Sequence, residues 1–410
     1  MQTEPNYKWY QAINLTVIVA GLGYFVDMFD ITLLGVIRVA SLKDLGITDP
    51  KALLDAGVLL YNMQAIGMLI GGILWGILAD KKGRLSVLFG SILLYSLGNI
   101  ANAFAWDVNS YAFFRFITGV GLAGELGAAI TIVAESLPTP LRGIGTTIVA
   151  TLGLTGSMAA AFFGQKLHWQ MAFLVGGIMG VALLITRLKM KESFMFHRLE
   201  GSNISRGNLL MLLSPHRLKK FMFCIFVGSP IYFITGILMT FSPEITKALG
   251  VEGEVTAGNA LLWGSVGLAI GDLASGLLSQ FLKSRKKAAL TSLLVGLSLS
   301  LFYLLVPKLT AQTIYLICFF VGTAAGYWAV LVTMAAEQFG TNIRGTVATT
   351  IPNFVRGSAV LVTLSFSTLK KYMPLEQAAL VIALCWFSLG LISLWKLEET
   401  FSKDLDYNEM

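Results

Sequence analysis

The sequence predicts an all-α polytopic membrane protein: twelve transmembrane helices in two pseudo-symmetric six-helix bundles. Three observations predict it. Hydrophobic residues make up 55% of the 410 residues and charged residues 13%, well away from the average of soluble domains. Apolar runs of about 20 residues, enough to carry a helix across roughly 30 Å of hydrocarbon, recur along the chain. The chain also repeats itself, with AESLPTPLRGIGTT (134–147) aligning on AEQFGTNIRGTVAT (336–349) at an offset of 202.

Taken in order, the apolar runs place spans at 12–40, 57–79, 84–105, 109–136, 143–165, 169–189, 219–243, 256–283, 287–306, 312–338, 345–370 and 376–395. Long unbroken runs exclude a transmembrane barrel, whose strands alternate over about 10 residues. The opening MQTEPNYKWYQ lacks a basic start followed by a short apolar core, so the first span is expected to act as its own insertion signal. Twenty Lys and Arg fall in the tails and even-numbered loops against seven in the odd-numbered loops, which predicts that both termini are cytoplasmic. The expected organisation is a bundle over 1–190, a cytoplasmic linker over 191–218, a second bundle over 219–395 and a cytoplasmic tail over 396–410. The net charge of +7 is read as orientation rather than as a nucleic-acid surface. Cys224, Cys318 and Cys385 are scattered in apolar runs with no CxxC and no neighbouring histidine, so each is expected to pack, and neither metal nor cofactor is expected. No P-loop, GxGxxG or HExxH marks an enzyme.

The repeat extends further. GGILWGIL (71–78) aligns on GDLASGLL (271–278), each followed by a basic turn, DKKGR (80–84) or KSRKK (283–287). Such a parallel duplication relates two six-helix halves about an axis along the membrane normal, with a substrate site between them near the midplane.

The turn GILADKKGRLSVL (76–88) has G-x-x-x-D-x-x-G-R spacing between two spans, and RFITGVGLAGE (115–125) sets an arginine ahead of spaced glycines. In both, the chain resembles the major facilitator superfamily. The resemblance implies a secondary transporter in which Asp80 and Arg84 belong to a conformational gate, joined by Glu135 and Arg142 and, in the second half, Glu337 and Arg344. ESLPTPLRG (135–143) and KES (191–193) look like the corresponding segments of sugar-porter and organic-ion subfamilies. The second half departs from the pattern. Gln280 stands at the position of Asp80 and Asp272 at that of Gly72, so Asp272 joins the gate set either as a substitute charge or as a titrating group. Span 5 has no proline between its glycines, unlike the antiporter motif of drug exporters, which favours uptake.

The first span carries YFVDMFDITL (24–33). Asp27 and Asp30 lie about 60° apart on the helix and about 4.5 Å apart along it, on one face. Two carboxylates in an apolar span are a candidate proton site, and D-x-x-D resembles the first helix of aromatic-acid and related metabolite:proton symporters, with Met28 where that group has glycine. The resemblance adds Arg115 to the proton-coupling set. Arg38, roughly 16 Å along the axis from Asp27, reads as a boundary charge on the outer rim. Arg356, about eleven residues inside span 11, suits an anionic substrate near the midplane; the competing reading pairs it with Asp272 or Glu337. Candidate cavity aromatics are Tyr24, Phe25, Tyr232, Phe233, Tyr327 and Trp328, of which Tyr24, Tyr327 and Trp328 are assigned with Arg356 to substrate binding.

The expected function is proton-coupled symport of a small organic anion or related metabolite by alternating access, the proton being the coupling ion. A proton-coupled exporter or a neutral sugar-type transporter is the alternative, with a channel or membrane enzyme more remote. The expected setting is a bacterial inner membrane, multi-pass, the lipid bilayer and a small-molecule substrate being the partners of a functional monomer.

Overall fold

The computed structural model describes residues 9–82, 84–187 and 214–401. The helices run in order as α1 (Leu15–Asp44), α2 (Pro50–Lys82), α3 (Arg84–Asn102), α4 in two parts (Val108–Leu122 and Glu125–Ser136), α5 (Thr139–Lys166) and α6 (Trp169–Arg187). The second half has α7 (Pro215–Phe233, then Ile234–Met239 and Ser242–Ala248), α8 (Ala257–Phe281), α9 (Arg285–Leu305), α10 in two parts (Ala311–Ala325 and Trp328–Glu337), α11 (Thr341–Leu369) and α12 (Leu375–Lys396). Among the described residues, nine candidate spans are long and apolar enough to cross a membrane. The linker expected over 191–218 lies largely outside the described residues, and α7 begins inside its end, at Pro215.

Local chemistry sets where helices begin. The Asn14 side chain accepts the Val17 amide at the start of α1. Asp107 and Ser110 form a reciprocal capping box at α4, and Thr256, Ser284 and Thr310 cap α8, α9 and α10. These short polar side chains occupy amide donors that a helix start leaves open. The outward surface is apolar, with Phe104, Leu277, Phe281 and Trp395 largely exposed, as lipid-facing helices require. Cys224 and Cys318 are buried, whereas Cys385 is exposed.

The duplication is written into the packing. A Cβ on Gly67 would lie 2.2 Å from the Phe116 carbonyl oxygen and one on Gly71 2.4 Å from that of Val120, so α2 and α4 touch backbone to backbone. Two hundred residues on, a Cβ on Gly267 or Gly271 would lie 2.0 Å from the carbonyl oxygens of Phe319 and Thr323, joining α8 to α10 in the same way. Close glycine contacts replace the apolar drive that lipid-embedded helices lack. Both α4 and α10 break, at Ala123–Gly124 and Gly326–Tyr327, although the hydropathy pattern predicts unbroken spans. Gly124 and Gly326 are 202 residues apart, the offset of the sequence repeat.

The two halves differ in what they bury. Among the described residues, Asp27, Asp30, Arg38, Arg115, Glu125 and Arg187 are buried charges of the first half, and Arg356 alone belongs to the second. The second half therefore holds one continuous apolar core, including Phe233, Ile237, Leu293 and Phe387. Polar groups divide the first half's core into separate clusters.

Candidate functional site

Two carboxylates on α1 define the site, and the structure gives each its own arginine. Asp30 is fully buried and meets Arg115 of α4, with Nη1 3.3 Å and 3.2 Å from its two oxygens. Gln64 of α2 donates to Asp30 Oδ2 at 3.0 Å. Arg115 is held on every side. Its Nε donates to Asn102 (2.9 Å) and its Nη2 to Asn99 (2.6 Å) and Thr118 (3.3 Å), and its guanidinium lies 4.5 Å from the centre of the Phe173 ring. The five donations from Arg115 fix its guanidinium in place.

Asp27 pairs across the halves. Arg356 Nη2 of α11 donates to Asp27 Oδ2 at 3.0 Å, and both side chains are buried. The sequence alternatives for Arg356, Asp272 and Glu337, are not its partners. Unlike the Asp30–Arg115 pair, this one is incompletely satisfied: Asp27 Oδ1 and Arg356 Nε and Nη1 are buried without a hydrogen-bond partner. Unpaired buried donors are costly, and Arg356 also lines a cavity. A cavity of about 10 Å³, room for about one water molecule, is lined by Arg356, Tyr232, Tyr61, Gln64, Met68 and Ile31 among others. It touches both pairs, through Arg356 itself and through the Gln64 that holds Asp30.

Of the four side chains assigned to substrate binding, Arg356 lines this cavity. Tyr24 does not; its ring lies over Gly153 of α5, where a Cβ would be 1.9 Å from it. Tyr327 donates its hydroxyl to the Val227 carbonyl at 2.6 Å, and half-buried Trp328 packs in the same apolar cluster as Tyr24. Tyr61, Gln64 and Met68 were missed because α2 shows no charge in its apolar run to single them out.

Arg38 departs from its expected place on the rim. It is completely buried, with Nη2 2.6 Å from Glu244 Oε1 and 3.2 Å from the Thr240 carbonyl, and its guanidinium lies 4.5 Å from the Phe241 ring centre. The π-helical turn Ile234–Met239 ahead of Thr240 disturbs the regular ladder there, as such turns do at functional places. Lys370 meets Asp55 at 2.5 Å nearby, and Thr363 donates to Asn62. Arg38, Asp55 and Asn62 belong to the first half and Glu244, Thr363 and Lys370 to the second, so these contacts join the halves at the end of the bundle opposite the start of α1. The residues expected from the sequence to form a gate are only partly described, for the side chains of Asp80, Arg84, Glu135, Arg142 and Arg344 lie outside the described residues. Glu337 is described: Arg285 approaches it at 3.4 Å and the Thr400 hydroxyl donates to it at 2.6 Å. Asp272 accepts the Ala329 amide at 2.8 Å, which makes it the cap of the second part of α10. That is the position where a carboxylate satisfies open amides and the helix dipole.

A family model described as Major Facilitator Superfamily matches residues 20–363. The chain belongs to the major facilitator superfamily. That is a family of transporters rather than enzymes, and the protein is a multi-pass membrane protein. Curated relatives include the niacin transporter NiaP of Acinetobacter baylyi, 32% identical over 43% of this chain and 40% of that one. The 3-(3-hydroxy-phenyl)propionate transporter of Escherichia coli is 35% identical over 38% of this chain and 39% of that one. The match thus spans about two fifths of the length of these relatives. A solved D-xylose-proton symporter superposes with a TM-score of 0.72 at 18% identity, covering 96% of this chain and 99% of its own. At that identity the likeness is one of fold.

Proposed function

We propose that this protein is a proton-coupled symporter that imports a small organic anion by alternating access, and that the anion is an aromatic monocarboxylate. The observation that carries the reading is the Asp27–Arg356 pair, which bridges the halves, leaves three of its polar atoms unpartnered and meets the cavity through Arg356. A carboxylate that enters as the halves part and this water-sized space widens displaces Asp27 from the Arg356 guanidinium. Asp27 is then left as an unpaired buried anion, a state that costs several kcal/mol, unless it accepts a proton. Anion binding and proton binding are therefore linked, and the occupied site carries the same net charge as the empty one. Niacin and 3-(3-hydroxyphenyl)propionate, named for two relatives, each join an aromatic ring to one carboxyl group. Tyr61, Tyr232 and Met68 are suited to such a ring.

In this reading the halves, 1–190 and 219–395, rock about the central pair with 191–218 as the linker between them. The contacts of Arg38 with Glu244 and of Lys370 with Asp55 close one end of the path. The excess of basic residues in the even-numbered loops puts both termini in the cytoplasm, in the inner membrane of a bacterium, and the protein works as a monomer. The test is uptake of labelled niacin and 3-(3-hydroxyphenyl)propionate into proteoliposomes, with and without an inward proton gradient. Wild-type protein is expected to accumulate at least one of them only with the gradient, and Arg356→Gln to lower its uptake at least tenfold, the loss of one charge-assisted contact. Accumulation that ignores both the gradient and Arg356 sinks the proposal.

A further inference from the structure

A third buried ion pair lies close to the Asp27–Arg356 and Asp30–Arg115 pairs and is not used in the transport scheme above. Arg187, the last residue of α6, stands at the end of an apolar run, yet it is completely buried. Its Nη2 lies 2.7 Å from Glu125 Oε2 and its Nη1 2.9 Å from Glu125 Oε1, a two-pronged contact. Arg187 Nη1 also donates to the Leu88 carbonyl at 3.1 Å, and Ser91 donates to Glu125 Oε1 at 2.9 Å. The pair thus ties α6 and α4 to α3. It sits at the break of α4, where Glu125 opens the second part of that helix.

Helix α1 rests on this pair. A Cβ on Gly23 would lie 2.2 Å from Arg187 Nη2 and 2.8 Å from Glu125 Oε2, so only glycine lets α1 approach so closely. Gly23 is about one helical turn before Asp27, so the Glu125–Arg187 pair packs against the stretch of α1 that carries Asp27. The other groups facing Asp27 are Arg356 of α11, Tyr232 of α7, Tyr95 of α3, and Tyr24 and Asp30 on its own helix. Stability alone accounts poorly for the pair, because apolar side chains of similar volume usually hold helices together as well as a buried ion pair or better.

We propose that Glu125 and Arg187 are positioning residues for proton coupling: their contact with α1 at Gly23 sets the place of Asp27, and their opposed charges set the pH at which Asp27 takes its proton. The inference rests on the reading that Asp27 carries the proton. Charges of opposite sign at Glu125 and Arg187 act on a neighbouring carboxyl group in opposite senses, the negative one holding a proton and the positive one opposing it.

The two charges predict opposite effects, whereas a merely structural role predicts the same effect from losing either partner. The experiment measures niacin uptake by proteoliposomes against external pH; 3-(3-hydroxyphenyl)propionate replaces niacin if it is the better substrate. The Glu125→Gln variant is expected to move the half-maximal pH down by about one unit, and Arg187→Gln to move it up by about as much. That is the size of effect a unit charge exerts at about 10 Å with an effective dielectric near 20. The double variant, which buries no lone charge, is expected to return close to the wild-type midpoint. If a single neutral variant fails to fold, Glu125→Asp and Arg187→Lys decide, because they keep both charges and are expected to keep the midpoint.

Shifts of the two neutral variants in one direction, no shift in either, or a double variant displaced as far as a single one would overturn the inference. So would a full-unit shift in the charge-keeping variants. An Asp27→Asn control separates the two claims. If it leaves the pH dependence intact, the reading of Asp27 fails and this inference with it; if it abolishes the dependence while the neutral variants behave alike, this inference alone fails.

Discussion

Replacing Asp27 with asparagine is expected to abolish accumulation of substrate against its gradient while leaving exchange of internal for external substrate. Asparagine resembles the protonated aspartate in shape and charge, so the site can still cycle with substrate bound. It cannot return empty by re-forming the Asp27–Arg356 pair that bridges the halves. The same change strands Arg356, buried and already short of partners at Nε and Nη1. An isolated buried guanidinium costs on the order of 3–5 kcal/mol, so the purified variant should melt earlier than wild type. An anionic substrate supplies the missing charge. Its stabilising effect on Asp27→Asn should therefore exceed its effect on wild type, which a thermal melt with and without niacin or 3-(3-hydroxyphenyl)propionate reads directly. A variant that still accumulates substrate under a proton gradient would remove Asp27 from the coupling step.

Arg115→Leu is expected to do more damage, and to the fold rather than to the cycle. Arg115 satisfies Asp30, Asn99, Asn102 and Thr118 at once, all of them buried. Leucine fills much of the volume but leaves a buried carboxylate with Gln64 as its remaining donor. Breaking one side of a buried pair costs about 3–5 kcal/mol, and the orphaned amides add to it. Since whole domains are stable by about 5–15 kcal/mol, little or no monodisperse protein is expected on gel filtration in detergent. Asp30→Asn should be milder, because its amide still offers an acceptor to Arg115 and Gln64. A well-folded Arg115→Leu protein would show that the network is dispensable.

These contrasting outcomes could not be read from the aspartate pair as it stands in sequence. Helical spacing correctly puts Asp27 and Asp30 on neighbouring positions of one helix, and the D-x-x-D pattern with RFITGVGLAGE points to Arg115. What spacing cannot supply is rotation against eleven other helices. The partner of Asp27 lies 329 positions away, on a helix of the other half, and Arg38 finds Glu244 at a separation of 206. The estimate that Arg38 is too far from Asp27 is sound for one straight helix. It says nothing about α7, whose π-helical turn brings Thr240 and Glu244 to Arg38.

The fold was more legible than the site because lipid makes hydrophobic length a direct signal. Each long apolar run corresponds to a helix, and the repeat at 202 residues locates the two halves. The breaks in α4 and α10 escaped that signal, since Gly124 and Gly326 sit in runs that remain apolar throughout. An attentive reading of the repeat would have found both, at equivalent positions. The burial of Arg187 is hidden from sequence for a related reason. A charge at the end of an apolar run is ordinarily a surface charge, and only the Glu125 carboxylate inside the bundle, facing Gly23, draws it inward.

For Asp272, correspondence within the repeat and the structure supply different information. Its alignment with Gly72, beside the lost signature aspartate, marks it as a gate or titrating group. In the structure it caps the second part of α10 through the Ala329 amide, a task created by a helix break that hydropathy does not reveal. Glu337 keeps a basic partner, Arg285, in the second half's version of the turn after α8.

The central claim is that anion binding at Arg356 obliges Asp27 to take a proton. The direct measurement is proton exchange by the purified protein in weakly buffered detergent solution on addition of substrate, followed with a pH indicator. Wild-type protein is expected to withdraw protons from solution as niacin or 3-(3-hydroxyphenyl)propionate saturates it, and Asp27→Asn to bind the same compound with no proton uptake. Saturable binding to wild type with no change in pH, or equal uptake by both proteins, would contradict the account.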